Sequence, residues 1–150
     1  MNLLIKVLFC FLLISCVSPK EHQYEDLSGN PVFLEDFKGK KIILHFWATT
    51  CRPCLEEMPV LQEMHDSLKQ ENFIVLLASD QSADVIKKYT ENSDLDFTFL
   101  RFTGPLHKLN VYVLPTTFLY NSEGEKVDEI NGAVKWDDAQ IFKNLTSNHL

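Results

Sequence analysis

Residues 42–54 read IILHFWATTCRPC. The first six of these residues form a short, nearly continuous apolar run, which is typical of a central β-strand covered on both faces. A turn follows, and apolar side chains then recur at three- and four-residue steps, which predicts an amphipathic helix over about residues 52–70. Pro59 lies inside this helix and is expected to kink it, because proline lacks a backbone donor. The stretch therefore predicts a buried strand that leads into a helix, with Cys51 and Cys54 at the helix start.

The sequence Cys51-Arg52-Pro53-Cys54 carries the chemistry. Two cysteines three residues apart at a helix start can face each other and close a small disulfide. Unpaired backbone N–H groups and the helix dipole favour a thiolate at Cys51, and the thiolate is the nucleophile of disulfide exchange. Arg52 should lower the pKa of this thiol further, and Pro53 suits the first turn of a helix. The motif therefore predicts a redox-active pair in which Cys54 attacks the mixed disulfide that Cys51 forms.

Two other roles are open to cysteines with this spacing. A structural zinc site needs four ligands, and the sequence has no second Cys-x-x-Cys motif. A purely structural disulfide would contribute little stability, because so short a loop removes little entropy from the unfolded chain. The spacing therefore favours redox chemistry and no bound metal.

Strands and helices alternate in the rest of the chain. The expected elements are a small strand or hairpin at 30–37, a second buried strand at 73–78, a helix at 83–92 with Ser82 as its N-cap, an irregular segment or short strand at 97–102, a short helix at 105–110, strands at 116–120 and 126–130 joined by a turn, and a last helix at 136–148. This order predicts an α/β fold with a mixed sheet. The 150 residues correspond to one domain.

Composition narrows the class of protein. The chain is 45% hydrophobic and 23% charged, with 5 Gly and 6 Pro, which rules out collagen-like, low-complexity and wholly disordered proteins. The formal net charge is -7 and there is no basic run. Because phosphate binding needs clustered Lys and Arg, these features argue against a nucleic-acid partner.

The N-terminal sequence predicts a targeting signal. Residues 1–15 have the length and apolar run of a signal peptide and are too short for a bilayer span of about 20 residues. The run ends in Leu13-Ile14-Ser15-Cys16, which resembles a bacterial lipobox and implies cleavage before Cys16 and lipidation of its sulfur. Residues 16–23 would then be the lipidated cysteine and a tether, on the extracytoplasmic (periplasmic) side of the cell envelope, where disulfides persist. The alternative is an ordinary hydrophobic leader with an incidental cysteine.

A family resemblance follows from three motifs. Residues 46–54 resemble the active-site stretch of thioredoxin-like proteins. Glu57-Met58-Pro59 is similar to the TlpA/ResA-like branch of membrane-tethered thiol–disulfide oxidoreductases, and Leu114-Pro115-Thr116-Thr117 resembles the cis-proline loop of the family. The similarity covers about residues 24–146. It implies a thioredoxin fold over residues 24–150, with a central mixed β-sheet flanked by helices and a small N-terminal strand or hairpin extension.

The resemblance also implies which residues meet a substrate. A cis peptide bond between Leu114 and Pro115 would bring the backbone of that loop beside Cys51, where it could hydrogen-bond an extended substrate strand. The alternative is that Pro115 only begins a strand. Thr50 stands where the family usually has tryptophan, so an altered docking surface is expected. The residues expected around the substrate are Trp47, Thr50, Arg52, Pro53, Leu114 and Thr116.

Acidic and imidazole side chains near the cysteines are candidates for proton transfer. His45 occupies the position of a buried Asp in thioredoxin, where a neutral His could accept the proton of Cys54. The favoured alternative is a packed strand histidine that burial keeps neutral. Asp80 ends the second strand, and in ResA-like members an acid near this position modulates the cysteine pKa values; a turn or cap role is equally open. Glu57 is expected to be solvated in the first helical turn, where an acid suits the dipole.

The implied activity is thiol–disulfide exchange without a cofactor. The family favours a reductant of protein disulfides, for example in cytochrome c maturation, with a membrane thiol protein as electron donor. Arg52 favours the opposite direction, a disulfide-donating oxidant, because a stabilised thiolate stabilises the reduced form.

Three further function classes differ in what they need. A copper chaperone would use the cysteine pair with His45 or His107, although related copper carriers usually have Cys-x-x-x-Cys. A thiol peroxidase is disfavoured, because the sequence lacks the Pro-x-x-x-Thr-x-x-Cys pattern around Cys51. A purely structural lipoprotein would keep all its activity after Cys51→Ser.

Overall fold

The computed structural model describes residues 23–147. The expectations for the signal peptide, for lipidated Cys16 and for nearly all of the tether lie outside the described residues. These residues have the α/β fold that the sequence predicts.

Among residues 23–147 the strands form one seven-stranded sheet with the order β2-β1-β5-β4-β3-β6-β7. Strand β3 pairs in parallel with β4, and β4 with β5, while the other pairs are antiparallel. The mixed sheet is therefore confirmed. The strands are β1 Tyr24–Glu25, β2 Pro31–Val32, β3 Lys41–Phe46, β4 Phe73–Ser79, β5 Thr98–Phe102, β6 Thr116–Tyr120 and β7 Lys126–Asn131.

The N-terminal extension is confirmed with different bounds. Strands β1 and β2 pair as a small antiparallel ribbon, and a short 3-10 helix, Leu34–Phe37, follows where the sequence predicted strand. Since β1 also pairs with β5, the extension completes one edge of the sheet.

The described part of the chain has four α-helices: α1 Arg52–Glu63, α2 His65–Gln70, α3 Ala83–Thr90 and α4 Ala139–Ser147. The single helix predicted over residues 52–70 divides at Met64, whereas Pro59 lies within α1. Ser82 caps α3 as predicted, with its Oγ accepting a hydrogen bond from the Val85 amide at 3.4 Å. Within residues 23–147, none of the helices combines the length and apolarity that a bilayer crossing requires.

Both faces of the sheet are covered, which explains the continuous apolar run in β3. Side chains alternate between the faces, so Ile43 joins the core beneath the helices and Leu44 joins the core beneath the N-terminal extension. Other helix-side core residues are Met58, Leu61, Val75, Leu77, Ile86, Phe99 and Trp136. On the opposite face the core includes Tyr24, Ile42, Phe46, Leu76, Leu100, Phe102 and Phe118. His45 is the one polar residue in the β3 run and is fully buried.

The topology brings three chain segments to one edge of the sheet. Phe46, the last residue of β3, pairs with Ala78 of β4 and with Thr116, the first residue of β6. Helix α1 begins a few residues after β3, and the loop before Thr116 arrives at the same edge. The cysteine motif and the proline loop therefore meet, although they are far apart in the sequence.

Candidate active site

Cys51 and Cys54 form a disulfide at the start of α1, with their Cα atoms 5.3 Å apart. Cys51 is the N-cap residue, and its Sγ accepts a hydrogen bond from the Cys54 amide at 3.3 Å. An amide aimed at this sulfur, together with the helix N-terminus, stabilises negative charge on it. Cys51 is partly exposed, whereas Cys54 is fully buried. The geometry therefore distinguishes an accessible sulfur from a protected one.

Arg52 is the cation next to Cys51, but it forms an ion pair with Glu56. Its side chain is 88% exposed, and its Nε donates to Glu56 Oε1 at 2.7 Å. This hydrogen bond raises the pKa of Arg52. Since the carboxylate of Glu56 opposes the guanidinium charge and solvent screens both, the field of Arg52 at Cys51 is weaker than its sequence position suggests.

The proline loop has the conformation that the resemblance implied, because the Leu114–Pro115 peptide bond is cis. The carbonyl of Pro115 accepts a hydrogen bond from the Gly132 amide at 2.8 Å. Thr116 is buried, and its Oγ1 contacts the Val113 carbonyl at 2.9 Å and Asn131 Oδ1 at 3.0 Å. The Thr116 hydroxyl is therefore engaged within the protein and holds the loop against β7.

Of the residues expected around a substrate, Thr50, Arg52 and Pro53 are exposed beside Cys51, and Leu114 is half-buried. Trp47 differs, because its ring is fully buried. It packs against Tyr89 and Phe99 with ring centroids 4.8 and 5.7 Å away. Trp47 therefore supports the site from the core and presents no surface to a substrate.

The structure adds an apolar surface that the sequence analysis missed. Tyr112 and Val113, just before the proline loop, are 75% and 52% exposed. Neighbouring large apolar side chains at such exposure are typical of contact surfaces when they form a continuous patch. The signal was present in the sequence as two adjacent apolar residues outside any predicted strand.

The loop before Cys51 is held by the side chain of Gln81, which follows the end of β4. The Thr49 amide donates to Gln81 Oε1 at 2.8 Å, and Gln81 Nε2 donates to Thr49 Oγ1 at 3.0 Å. Asp80, for which an effect on the cysteines and a turn or cap role were equally open, is exposed after the end of β4. The side chain that reaches the cysteine loop is therefore that of Gln81.

Gln81→Ala should destabilise the protein by about 1–2 kcal/mol, because two partly buried hydrogen bonds to Thr49 are lost. Asp80→Ala is the matched control, and its exposed side chain should change the free energy of unfolding by less than about 0.5 kcal/mol. Urea denaturation of the oxidised proteins measures both. Equal effects of the two substitutions would contradict the assignment of Gln81.

Glu57 is buried, so the expectation of a solvated first-turn residue is wrong. It lies one helical turn after Cys54, on the face of α1 that contacts the core, and is 6% exposed. Its Oε2 accepts a hydrogen bond from the Val134 amide at 2.7 Å. Its Oε1 lies 3.2 Å from His45 Nε2. The carboxyl group is therefore enclosed by α1, β3 and the segment after β7.

The two buried groups have opposite pKa shifts with one cause. Burial raises the pKa of Glu57 to about 7, opposed by the Val134 amide and the Trp136 indole. Burial lowers the pKa of His45 to about 4. At neutral pH His45 is thus uncharged, as the packed-histidine interpretation expected, and Glu57 holds its proton to a much higher pH than an exposed glutamate does. A carboxyl that exchanges a proton near pH 7 beside Cys54 is suited to general acid–base chemistry.

His45 has other neighbours than the sequence suggested. Its Nδ1 lies 2.9 Å from Thr117 Oγ1, and its Nε2 faces Glu57. Its two ring nitrogens therefore face Thr117 and Glu57, two protein side chains from other elements. His107, the other histidine considered for copper, is exposed in the 3-10 helix Leu106–Leu109.

The chain resembles proteins of known family over most of its length. The profile of the AhpC/TSA family matches residues 18–128. The thiol-disulfide oxidoreductase ResA of Bacillus thuringiensis subsp. konkukian is 36% identical over 110 residues, which are 71% of this chain and 64% of that protein. ResA of Bacillus subtilis is 31% identical over 124 residues, 81% of this chain and 69% of that protein. The chain thus spans about 64% of the length of the first of these relatives.

Solved structures agree with the fold. The exposed lipoprotein thioredoxin Etrx1 of Streptococcus pneumoniae matches with a TM-score of 0.69 and 26% identity, covering 82% of this chain and 96% of that one. StoA of Bacillus subtilis matches with a TM-score of 0.66 and 24% identity, covering 83% and 95% of the two chains. The fold is therefore that of thioredoxin, and the chain belongs to the AhpC/TSA family, among the ResA thiol-disulfide oxidoreductases.

Proposed function

We propose that this protein reduces protein disulfides by dithiol–disulfide exchange through Cys51 and Cys54. The observation that carries the proposal is the disulfide at the N-terminus of α1, with one sulfur partly exposed and the other buried. The ResA relatives, named thiol-disulfide oxidoreductases, support it.

The reaction follows from this asymmetry. The Cys51 thiolate attacks a substrate disulfide, a mixed disulfide forms, and the first substrate thiolate leaves. Cys54 then loses its proton and attacks the Cys51 sulfur, which closes the Cys51–Cys54 disulfide and releases the second substrate thiolate. Two electrons pass to the substrate, which becomes a dithiol. A membrane thiol protein, the proposed electron donor, reduces the pair again.

Glu57 is the proposed acceptor of the Cys54 proton. The two residues are three positions apart on the buried face of α1, a spacing that puts their Cβ atoms about 5–6 Å apart. A carboxyl with a pKa of about 7 can take up this proton and return it without leaving neutral pH. This role replaces the one that the sequence analysis considered for His45 and Asp80.

The proposed docking surface surrounds Cys51. Thr50, Arg52 and Pro53 are exposed next to Cys51 in the sequence, and the exposed Tyr112 and Val113 precede the cis-proline loop. The backbone of Leu114, next to Cys51 in this arrangement, would offer hydrogen bonds to an extended substrate strand. An oxidised Cys-x-x-Cys-His peptide, as in immature cytochromes c, is the substrate class to test first.

A location in the cell envelope is part of the proposal. The lipobox-like residues before Cys16 support a signal peptide and a lipid anchor on the extracytoplasmic side. The matched pneumococcal protein is itself described as an exposed lipoprotein. Radiolabelled palmitate that enters the wild-type protein and not the Cys16→Ala variant would establish the anchor.

The reduction potential of the Cys51/Cys54 pair tests the function. A glutathione titration of the full chain in detergent should give a value near that of thioredoxin, about -270 mV. A value near about -120 mV would show a disulfide donor, and the absence of a reversible dithiol couple would refute the oxidoreductase proposal.

Arg52→Gln should leave this potential almost unchanged, since the guanidinium is exposed and paired with Glu56. We expect the equilibrium constant with glutathione to change by less than about threefold. Arg52→Lys keeps the charge and serves as the control. A large fall in potential in the Gln variant alone would mean that Arg52 controls the thiolate and favours the oxidant function.

A further inference from the structure

Three side chains from three elements form a buried line behind the cysteines. Glu57 of α1 faces His45 of β3, and His45 faces Thr117, its cross-strand partner in β6. His45 and Thr117 are fully buried. The distances are 3.2 Å from Glu57 Oε1 to His45 Nε2 and 2.9 Å from His45 Nδ1 to Thr117 Oγ1.

The contact between Glu57 and His45 does not have the geometry of a good hydrogen bond. The two atoms lie within hydrogen-bond distance, but their alignment is poor, and neither has another hydrogen-bond partner in the described part of the chain. An unpaired buried polar atom costs about 1–3 kcal/mol. Each atom can avoid this cost by pairing with the other, provided that one of the two carries a proton.

The proton can lie in two places. A neutral imidazole has one donor and one acceptor nitrogen, and a hydroxyl can donate or accept. When Glu57 is protonated, its O–H can donate to Nε2 while Nδ1–H donates to Thr117 Oγ1. When Glu57 is ionised, Nε2–H can donate to Oε1 while the Thr117 hydroxyl donates to Nδ1. His45 carries one proton in both arrangements, on Nδ1 in the first and on Nε2 in the second, and the net charge of the three side chains differs only by the proton of Glu57.

We propose that His45 and Thr117 act as a tautomer switch that keeps the buried carboxyl of Glu57 paired both with and without its proton. The proposal rests on the proposed function, in which the proton of Glu57 is exchanged with Cys54. His45 and Thr117 are positioning residues, because they act through Glu57. A side chain that could only donate, or only accept, would leave Glu57 Oε1 unpaired in one half of the redox cycle.

The groups that face Glu57 determine which of them can pair with its carboxyl in both protonation states. They are the His45 imidazole from β3 and the Val134 amide and Trp136 indole from the segment after β7, while Cys54 is buried one turn earlier on α1. The amide and the indole can only donate, and so both favour the ionised carboxyl. Of the imidazole, the amide and the indole, only the imidazole can either accept a hydrogen bond from Glu57 or donate one to it while remaining uncharged.

Nitrogen-15 NMR of the histidine-labelled full chain in detergent tests the switch. As pH rises, His45 should change from the Nδ1–H to the Nε2–H tautomer, with the same midpoint as the Glu57 carboxyl carbon. A tautomer that stays fixed through the titration of Glu57 would overturn the proposal. Conversion of His45 to imidazolium over the same range would also overturn it.

Two variants separate the switch from a merely structural role. His45→Phe removes the donor to ionised Glu57, and because hydrogen bonds to charged groups are the stronger ones, the carboxyl should hold its proton about tenfold more tightly. His45→Gln can donate and accept, and should restore most of the wild-type titration. If both variants leave the Glu57 titration unchanged, the imidazole only fills space. A reversible dithiol couple with a fixed tautomer would refute the switch and leave the proposed function standing.

Discussion

Cys51→Ser should reduce the rate of protein disulfide reduction to the uncatalysed background, a loss of more than about a thousandfold. Cys51 is the accessible sulfur and lies where the helix N-terminus stabilises a thiolate. A serine hydroxyl at the same place is not ionised at neutral pH and cannot form a mixed disulfide. Turbidimetric reduction of insulin, with dithiothreitol as electron source, measures this loss.

Cys54→Ser is the matched variant and should behave differently. It retains the nucleophile and loses the sulfur that resolves the mixed disulfide, so a covalent complex with substrate should accumulate on non-reducing gels. The short loop between the cysteines adds little to stability, so both variants should remain folded by circular dichroism. A complex trapped by Cys51→Ser and not by Cys54→Ser would reverse the assigned roles. Full activity in both would leave the pair with a purely structural role.

The fold could be predicted from local patterns because its strands are strongly constrained. β3 and β4 are covered on both faces and are therefore continuous apolar runs, and the cysteine motif marks the helix start that follows β3. The helix boundary at Met64 was not predictable from periodicity, since apolar residues keep their helical spacing across it. The N-terminal extension was placed too late in the chain because pairing of β1 with β5 is a long-range contact.

The site could be predicted where one motif contains its chemistry, and not where separate elements meet. Cys51, Cys54 and the cis-proline loop are local signals. The burial of Glu57 depends on the segment around Val134 and on His45, which are distant in sequence. A partial signal was present, since Cys54, Glu57 and Leu61 recur at three- and four-residue steps on the buried face of α1. Reading Glu57 only as a first-turn acid missed that face.

Glu57→Gln should make the protein more stable at alkaline pH and leave it unchanged at acidic pH. The pKa of Glu57 is raised from 4.5 to about 7 on folding, chiefly by burial. The folded protein therefore binds more protons than the unfolded chain between these values, and its stability falls as pH rises through the interval. The full loss is about 3 kcal/mol. Glutamine stays neutral, so the difference between the variant and the wild type should grow to about that value by pH 8.

Urea denaturation of the oxidised proteins at pH 5 and pH 8 measures the difference. Glu56→Gln is the matched control, because Glu56 is exposed at the preceding position of the same helix and the change there removes no buried carboxyl. Both Glu57→Gln and the wild type retain His45, whose contribution to stability is lost as pH falls from about 6.5 to about 4 and largely cancels in the comparison. An equal difference at both pH values would contradict the raised pKa of Glu57.

Glu57→Gln should also slow catalysis. Greater stability at alkaline pH together with slower catalysis would identify Glu57 as a functional residue. A glutamine cannot accept the proton of Cys54, so the step that closes the Cys51–Cys54 disulfide should slow at neutral pH, while the first attack by Cys51 should not. Stopped-flow fluorescence of a single turnover separates the two steps. If the carboxyl had only a structural role, its removal would destabilise the protein. A carboxyl kept for proton transfer is retained despite destabilising the folded protein at the pH where it works.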